Sequence, residues 1–270
     1  MNFLKKILSS ALAAVMIFSL CSCSSSRGSR EQTAPPTVRI TFPEGTTVTQ
    51  TAELLEENGV CTVSEFISAV NSRESENEFA DSLPNPDDRA FLLEGYIFPD
   101  TYDFYVGEGA SKALSRFLAN TKSKLTEDMY KRAEQLGFTM DEILTIASIV
   151  QEESLTHESM KNVSSVIHNR LKSESYPRLQ CDVSVFYLKL YVKPYISGEN
   201  TDRYDALYNT YECSGLPAGP ITNPGIDAIN AALYPANTDY YFFVTDSSGN
   251  YYYAETYAEH LENCKIAGIE

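Results

Sequence analysis

Apolar and polar positions change period several times along the chain, and the changes mark its elements. Val38, Ile40 and Phe42 alternate with Arg39 and Thr41, the two-residue period of a strand. Glu44-Gly45 turns the chain, and Thr47 stands three residues before Gln50. That capping-box spacing opens a helix to about Asn58, closed by Gly59. Thr62 and Glu65 repeat the spacing and open a second short helix. "TYDFYV", residues 101–106, has the composition of a returning strand, so 37–106 reads as strand, helix, helix, strand. Residues 73–90 are polar and acidic and read as a loop. "FLLEGYIFPDTYDFY" is dense in aromatics with Glu94, Pro99 and Asp100 embedded. It reads as an edge strand facing water or as a cleft wall where rings stack on sugar faces and an acid holds hydroxyls.

Helical periods dominate the second half. Gly137 ends one helix, and Thr139 with Glu142 opens another near Met140 that runs through "IASIVQEES", residues 146–154. At 3.6 residues per turn Glu153 lies about 20° from Ile146, whereas Glu152 lies roughly 120° away. Phase therefore turns Glu153 inward and Glu152 toward solvent. An inward carboxyl holds its proton to higher pH, as a general acid for a glycosidic oxygen must. The competing reading is a buried acid tied to Arg170, which shares a side of the next helix with Val163, Val166 and Ile167. "YPRLQCDVSVFY" places Gln180 and Asp182 before an aromatic stretch. A Gly/Pro loop, Gly215 to Pro224, precedes a further helix, and "YYFFVTDSSGNYYYAET" reads as a hairpin turning at Ser248-Gly249.

The first residues need a separate account. Lys5 and Lys6 precede an apolar stretch from Ile7 to Leu20 that is short for a membrane span and is followed by small residues, the layout of an export signal. Leu20-Cys21-Ser22-Cys23 resembles a bacterial lipobox. Cys23, with Leu20 three residues before it, fits the acylated position better than Cys21, which follows the large Leu20 directly. An ordinary signal or an uncleaved anchor is the alternative. The expected division is a lipoprotein signal peptide at 1–22, a flexible Ser/Gly/Pro tether at 23–36, the small unit at 37–106 and a mixed α+β domain at 107–270.

At 270 residues and 43% hydrophobic, the chain can bury a sizeable core, and its formal charge of −16 excludes a basic nucleic-acid surface. Cys61, Cys181, Cys213 and Cys264 have no zinc-ligand spacing, and His157, His168 and His260 are scattered, so neither metal nor cofactor is expected. A disulfide among the four is compatible with an extracytoplasmic location, with the pairing undetermined.

Several segments in order resemble one family, the YceG-like or MltG-type endolytic murein transglycosylases. They are "LEGYIFPDTYDF", "ASIVQEES", "NRL", "RLQCDVSVFY", "YNTYECSGLPAGPITNPGIDAINAAL", and "YYFFV" with "ETYAEH". The resemblance covers roughly residues 38–264. It implies an α+β fold with a small LysM-like unit, which binds N-acetylated glycan or serves as scaffold, followed by the catalytic domain. It also implies Glu153 as catalytic acid, with Glu94, Asp100, Gln180, Asp182, Asn209 and Tyr211 lining or organising the cleft. The implied substrate is the peptidoglycan strand, cut beside wall synthases at the extracytoplasmic face of the membrane. Gln151 departs from the family, which has an acid there. A peptidoglycan hydrolase pairing Glu153 with Asp100 or Asp182, and a non-catalytic glycan-binding lipoprotein, are the alternatives.

Overall fold

The alternation at the start of the folded chain becomes strand β1, Thr37–Thr41, paired antiparallel with β2, Thr101–Tyr105, in the register Thr37 opposite Tyr105 and Thr41 opposite Thr101. The computed structural model describes residues 35–73, 78–154, 156–196 and 201–269, and from Pro35 on the chain forms one compact unit. The signal segment, Cys23 and all but the last two residues of the tether lie outside the described residues. Between the strands run α1, Val48–Glu57, α2, Val63–Val70, and a short α3, Glu78–Ser82. Thr47 and Thr62 cap α1 and α2 with complete capping boxes. The inward residues of the sheet, Tyr102 and Phe104 with Phe42 just beyond β1, pack around Phe117, whose ring centre lies 5.0 Å from Phe42 and 4.6 Å from Tyr102.

Two expectations for this half change. Residues 73–90 are not wholly loop, because α3 and a 3-10 turn at Pro86–Asp88 lie within them. Residues 91–100 form neither an edge strand nor a cleft wall; Phe91 through Phe98 is a buried irregular segment, and only 101–105 is strand. Its turn uses Gly95 at φ 87°, where a Cβ would come within 2.4 Å of Pro220. That close approach locks the segment to the Gly/Pro loop.

The second half is helical. It comprises α4, Ala110–Lys124, α5, Glu127–Leu136, α6, Met140–Glu153, α7, His157–Leu171, α8, Asp182–Tyr187, running on into a π-helical turn at Leu188–Val192, α9, Thr201–Tyr208, and α10, Ile226–Leu233. Helix α6 is the hub. Ile146, Ala147, Ser148, Ile149 and Val150 are all buried in sequence, so its middle is enclosed on every side by α7, α10 and their neighbours. One charge on it is buried with a partner: Asp141 accepts from Arg89 and from the Tyr96 hydroxyl (2.9 Å). Strands β3, Phe242–Thr245, and β4, Tyr251–Ala254, form the hairpin, and α11, Tyr257–Ala267, packs on it. Asp246 ties the turn by accepting from the backbone N–H of Ser248 and Asn250, both at 2.9 Å. Among the described residues no helix is long and apolar enough to cross a membrane.

Candidate active site

Glu153 is the last residue of α6, where the helix leaves the core. Its backbone carbonyl is one of the four that a helix end leaves without an internal partner, and the Tyr251 hydroxyl of β4 donates to it at 2.8 Å. The hairpin thus anchors the helix end that carries the acid. The side chain faces an open cleft of about 530 Å³. Burial, then the nearby charges of Asp182 and Glu152, push its carboxyl up to about 7. A carboxylate at a helix C-terminus is also opposed by the helix dipole.

Arg170 does not neutralise this acid. Its guanidinium donates to the carbonyls of Tyr241 (2.6 Å), Arg178 (2.8 Å) and Leu179 (3.2 Å) and to Gln180 Oε1 (2.9 Å). It also stacks over Phe242, 4.9 Å from the ring centre. Arg170 is thus a buried clamp joining α7, the 178–180 segment and β3, and among the described residues Glu153 has no ion pair.

Around the cleft the structure gathers Gln180, Asp182 and Tyr211 with Glu153. The Tyr211 hydroxyl donates to Asp182 Oδ1 at 2.6 Å. Gln180 stands at φ 56°, the non-glycine residue with positive φ among the described ones. Thr210 holds this corner: its carbonyl accepts from Gln180 N (3.0 Å) and its hydroxyl from Cys181 N (2.8 Å).

The other three expected residues are placed elsewhere. Glu94 is buried at the N-terminus of α1, accepting from Val48 N (2.9 Å), Asn223 Nδ2 (3.0 Å) and the Tyr187 hydroxyl (3.3 Å). Burial pushes it up to about 8 against these donors, which favour the anion. Asp100 does not line the cleft. It accepts from Thr101 N and Asn120 and pairs with Lys124 at 3.3 Å, contacts that hold its carboxyl below the ordinary range. As the partner carboxylate of a hydrolase it is therefore out of place. Asn209 does not line the cleft but holds the turn that carries Tyr211, accepting from Tyr211 N (3.1 Å) and donating to Glu212 (3.0 Å).

Glu152 is exposed as phase requires, and its carboxyl rests against the protein surface. It lies over Gly45, where a Cβ would come within 2.6 Å, and beside Thr222; burial raises it above the ordinary carboxylate value. Gln151 Oε1 accepts from Gly225 N (3.0 Å) at the start of α10. An acid could accept that bond equally well, so the departure keeps the contact and omits a charge from a neighbourhood holding Glu44, Glu152 and Asp227.

One wall of the cleft went unread in the sequence. Tyr241 to Thr245, then Tyr257, His260 and Cys264 of α11, close the side facing α8. The tyrosine-rich hairpin was visible as a hairpin, but nothing in its spacing indicates which element it covers. All four cysteines of the folded part are free thiols.

Comparison with known proteins follows the same span. A family model described as the YceG-like family matches residues 24–266. The endolytic murein transglycosylase of Bacillus subtilis strain 168 is 28% identical over 236 residues, 82% of this chain and 63% of that protein. The endolytic murein transglycosylase of Streptococcus pneumoniae strain D39 is 29% identical over 254 residues, 87% of this chain and 46% of its own length. The chain therefore spans about half to two thirds of these relatives. A crystal structure of a yceG-like protein from Listeria monocytogenes superposes with a TM-score of 0.67 at 26% identity, covering 84% of this chain and 75% of that one.

Proposed function

This chain belongs to the YceG-like family, and from that premise we propose that it is a lytic transglycosylase that cuts within peptidoglycan glycan strands. The observation that carries the reading is the Glu153 carboxyl, pushed up to about 7 beside an open cleft and free of any cationic partner among the described residues. Protonated Glu153 donates to the oxygen linking N-acetylmuramic acid to N-acetylglucosamine as the bond to the anomeric carbon breaks. The muramyl 6-hydroxyl then attacks that carbon, and its proton passes to the Glu153 carboxylate. The product is a 1,6-anhydro end, no water is consumed, and the acid is regenerated. No second carboxylate has to activate a nucleophile, because the nucleophile is already tethered to the reacting sugar.

Hydrolysis is the competing reading, and one observation supports it: Asp182 shares the cleft with Glu153. Isotope labelling separates the two. Digestion of uncrosslinked glycan in heavy-oxygen water by protein lacking residues 1–23 is expected to yield unlabelled ends, each one water lighter than a hydrolysed end, with mid-length chains appearing first. Labelled reducing ends would establish water as the nucleophile. Steady release of disaccharides from the outset would leave the chemistry standing and remove the internal-cutting claim.

Attachment to the outer face of the membrane through a lipid on Cys23 is the corresponding proposal for location, with wall synthases as neighbours. Two acyl chains suffice for stable anchoring. Cys23→Ala is expected to release the protein from membranes on fractionation. Release by Cys21→Ala with Cys23→Ala still bound would move the site to Cys21.

A further inference from the structure

Gln180 occupies a backbone conformation that its residue type disfavours. Side chains with a Cβ meet steric opposition in the left-handed region, and glycine or asparagine occupies it at less cost. Here the position carries glutamine at φ 56°. The neighbouring backbone holds it there through Thr210, so the strain is maintained by the fold. A side chain of this length and kind is therefore present in spite of the backbone.

Its amide is also oriented. The atom facing Arg170 Nη1 at 2.9 Å must be the oxygen, because a guanidinium has donors and no acceptor. Arg170 is itself immobile: it is 6% exposed and held by three backbone carbonyls. With Oε1 committed, the Nε2 amide group turns the other way. Gln180 is an exposed residue of the cleft wall that also carries Glu153, and among the described residues no acceptor takes a hydrogen bond from Nε2. The result is a pair of N–H donors at a set position, with the acceptor end of the same amide withdrawn.

A group that only donates is complementary to a group that only accepts. Hydroxyls of a glycan do both, whereas the carbonyl oxygen of an acetamido substituent is an acceptor alone. We propose that Gln180 Nε2 is a substrate-contacting donor that reads the acetamido carbonyl of an N-acetylated sugar in the Glu153 cleft. This rests on the glycan reading above and adds the atom and the substrate group to it. Arg170 acts on substrate through Gln180 by fixing which end of the amide is presented.

The distinguishing experiment is calorimetric binding in the Glu153→Gln background, where ligand is not consumed. The probes are β-1,4-linked N-acetylglucosamine oligomers and β-1,4-linked glucose oligomers, which share the linkage and are both uncharged but carry acetamido or hydroxyl at C2. The protein with Gln180 is expected to prefer the acetylated oligomer. Gln180→Glu keeps an oxygen for Arg170 and removes the donor. It should unfold at the same temperature or above, yet bind the acetylated oligomer about 3- to 10-fold more weakly, the worth of one neutral hydrogen bond, with glucose oligomers unaffected. Gln180→Met is the uncharged control and should lose the same preference. Undiminished preference in both variants overturns the assignment while the glycan reading survives. Failure of the Gln180-containing protein to bind any N-acetylated strand, long peptidoglycan glycan included, overturns the glycan reading and this inference with it.

Discussion

Glu153→Gln is expected to lower turnover by about a hundred- to ten-thousand-fold, the usual worth of a general acid, with the fold intact. The amide keeps the shape of the carboxyl and its hydrogen-bonding capacity but has no acidic proton to give. Activity of the unsubstituted protein should fall as pH rises through about 7, where Glu153 gives up its proton in the folded state. Stability runs the same way. A carboxyl whose folded pKa lies above its unfolded value contributes fully below the ordinary carboxylate range and loses that contribution as pH climbs to about 7. Glu153→Gln has no such loss, so above pH 7 it should unfold at the same urea concentration as its parent or a higher one. Glu152→Gln should cost little activity, since that side chain lies over Gly45 and Thr222. Comparable activity losses in the two variants would dissolve the assignment of the acid.

Arg170→Ala should be the most destabilising change in the cleft wall, at about 3–5 kcal/mol. Removal of the guanidinium leaves the carbonyls of Tyr241, Arg178 and Leu179 without their shared donor and opens space beneath Phe242. Arg170→Lys should recover only part of the loss. An ammonium on a flexible stem cannot reach the Tyr241 carbonyl just before β3 and the 178–179 carbonyls at once, nor stack on the ring in the same way. Urea unfolding of the three proteins measures this. Full recovery by Lys would mean that charge alone, and not the planar fork, holds the wall together. In folded Arg170→Lys the oligomer preference assigned to Gln180 should weaken as well, because the amide is no longer held in one orientation.

Local chemistry accounts for what could be read before any tertiary structure was known. The capping boxes at Thr47, Thr62 and Thr139 place helix starts because they satisfy backbone donors within four residues. The alternation of Val38, Ile40 and Phe42 and the turn at Ser248-Gly249 are likewise short-range, and helical phase separated Glu153 from Glu152 through geometry internal to one helix. Motif order carried the family. Only tertiary structure could decide the destination of each polar side chain. Glu94 and Asp100 sit in one aromatic-rich stretch, yet the first caps the N-terminus of α1 from inside the core and the second pairs with Lys124 at its edge. Arg170 had the right face to reach Glu153, but three carbonyls from two separate segments, 178–179 and Tyr241, hold it instead. The hairpin beside the cleft is tied to α6 by Tyr251 and Glu153, 98 residues apart, and the Gln180 amide is oriented by an Arg170 that is itself held by the carbonyl of Tyr241, 71 residues from it. A buried donor goes to whichever acceptor the packing brings within about 3 Å, and the chain's order does not encode that meeting except through the whole fold.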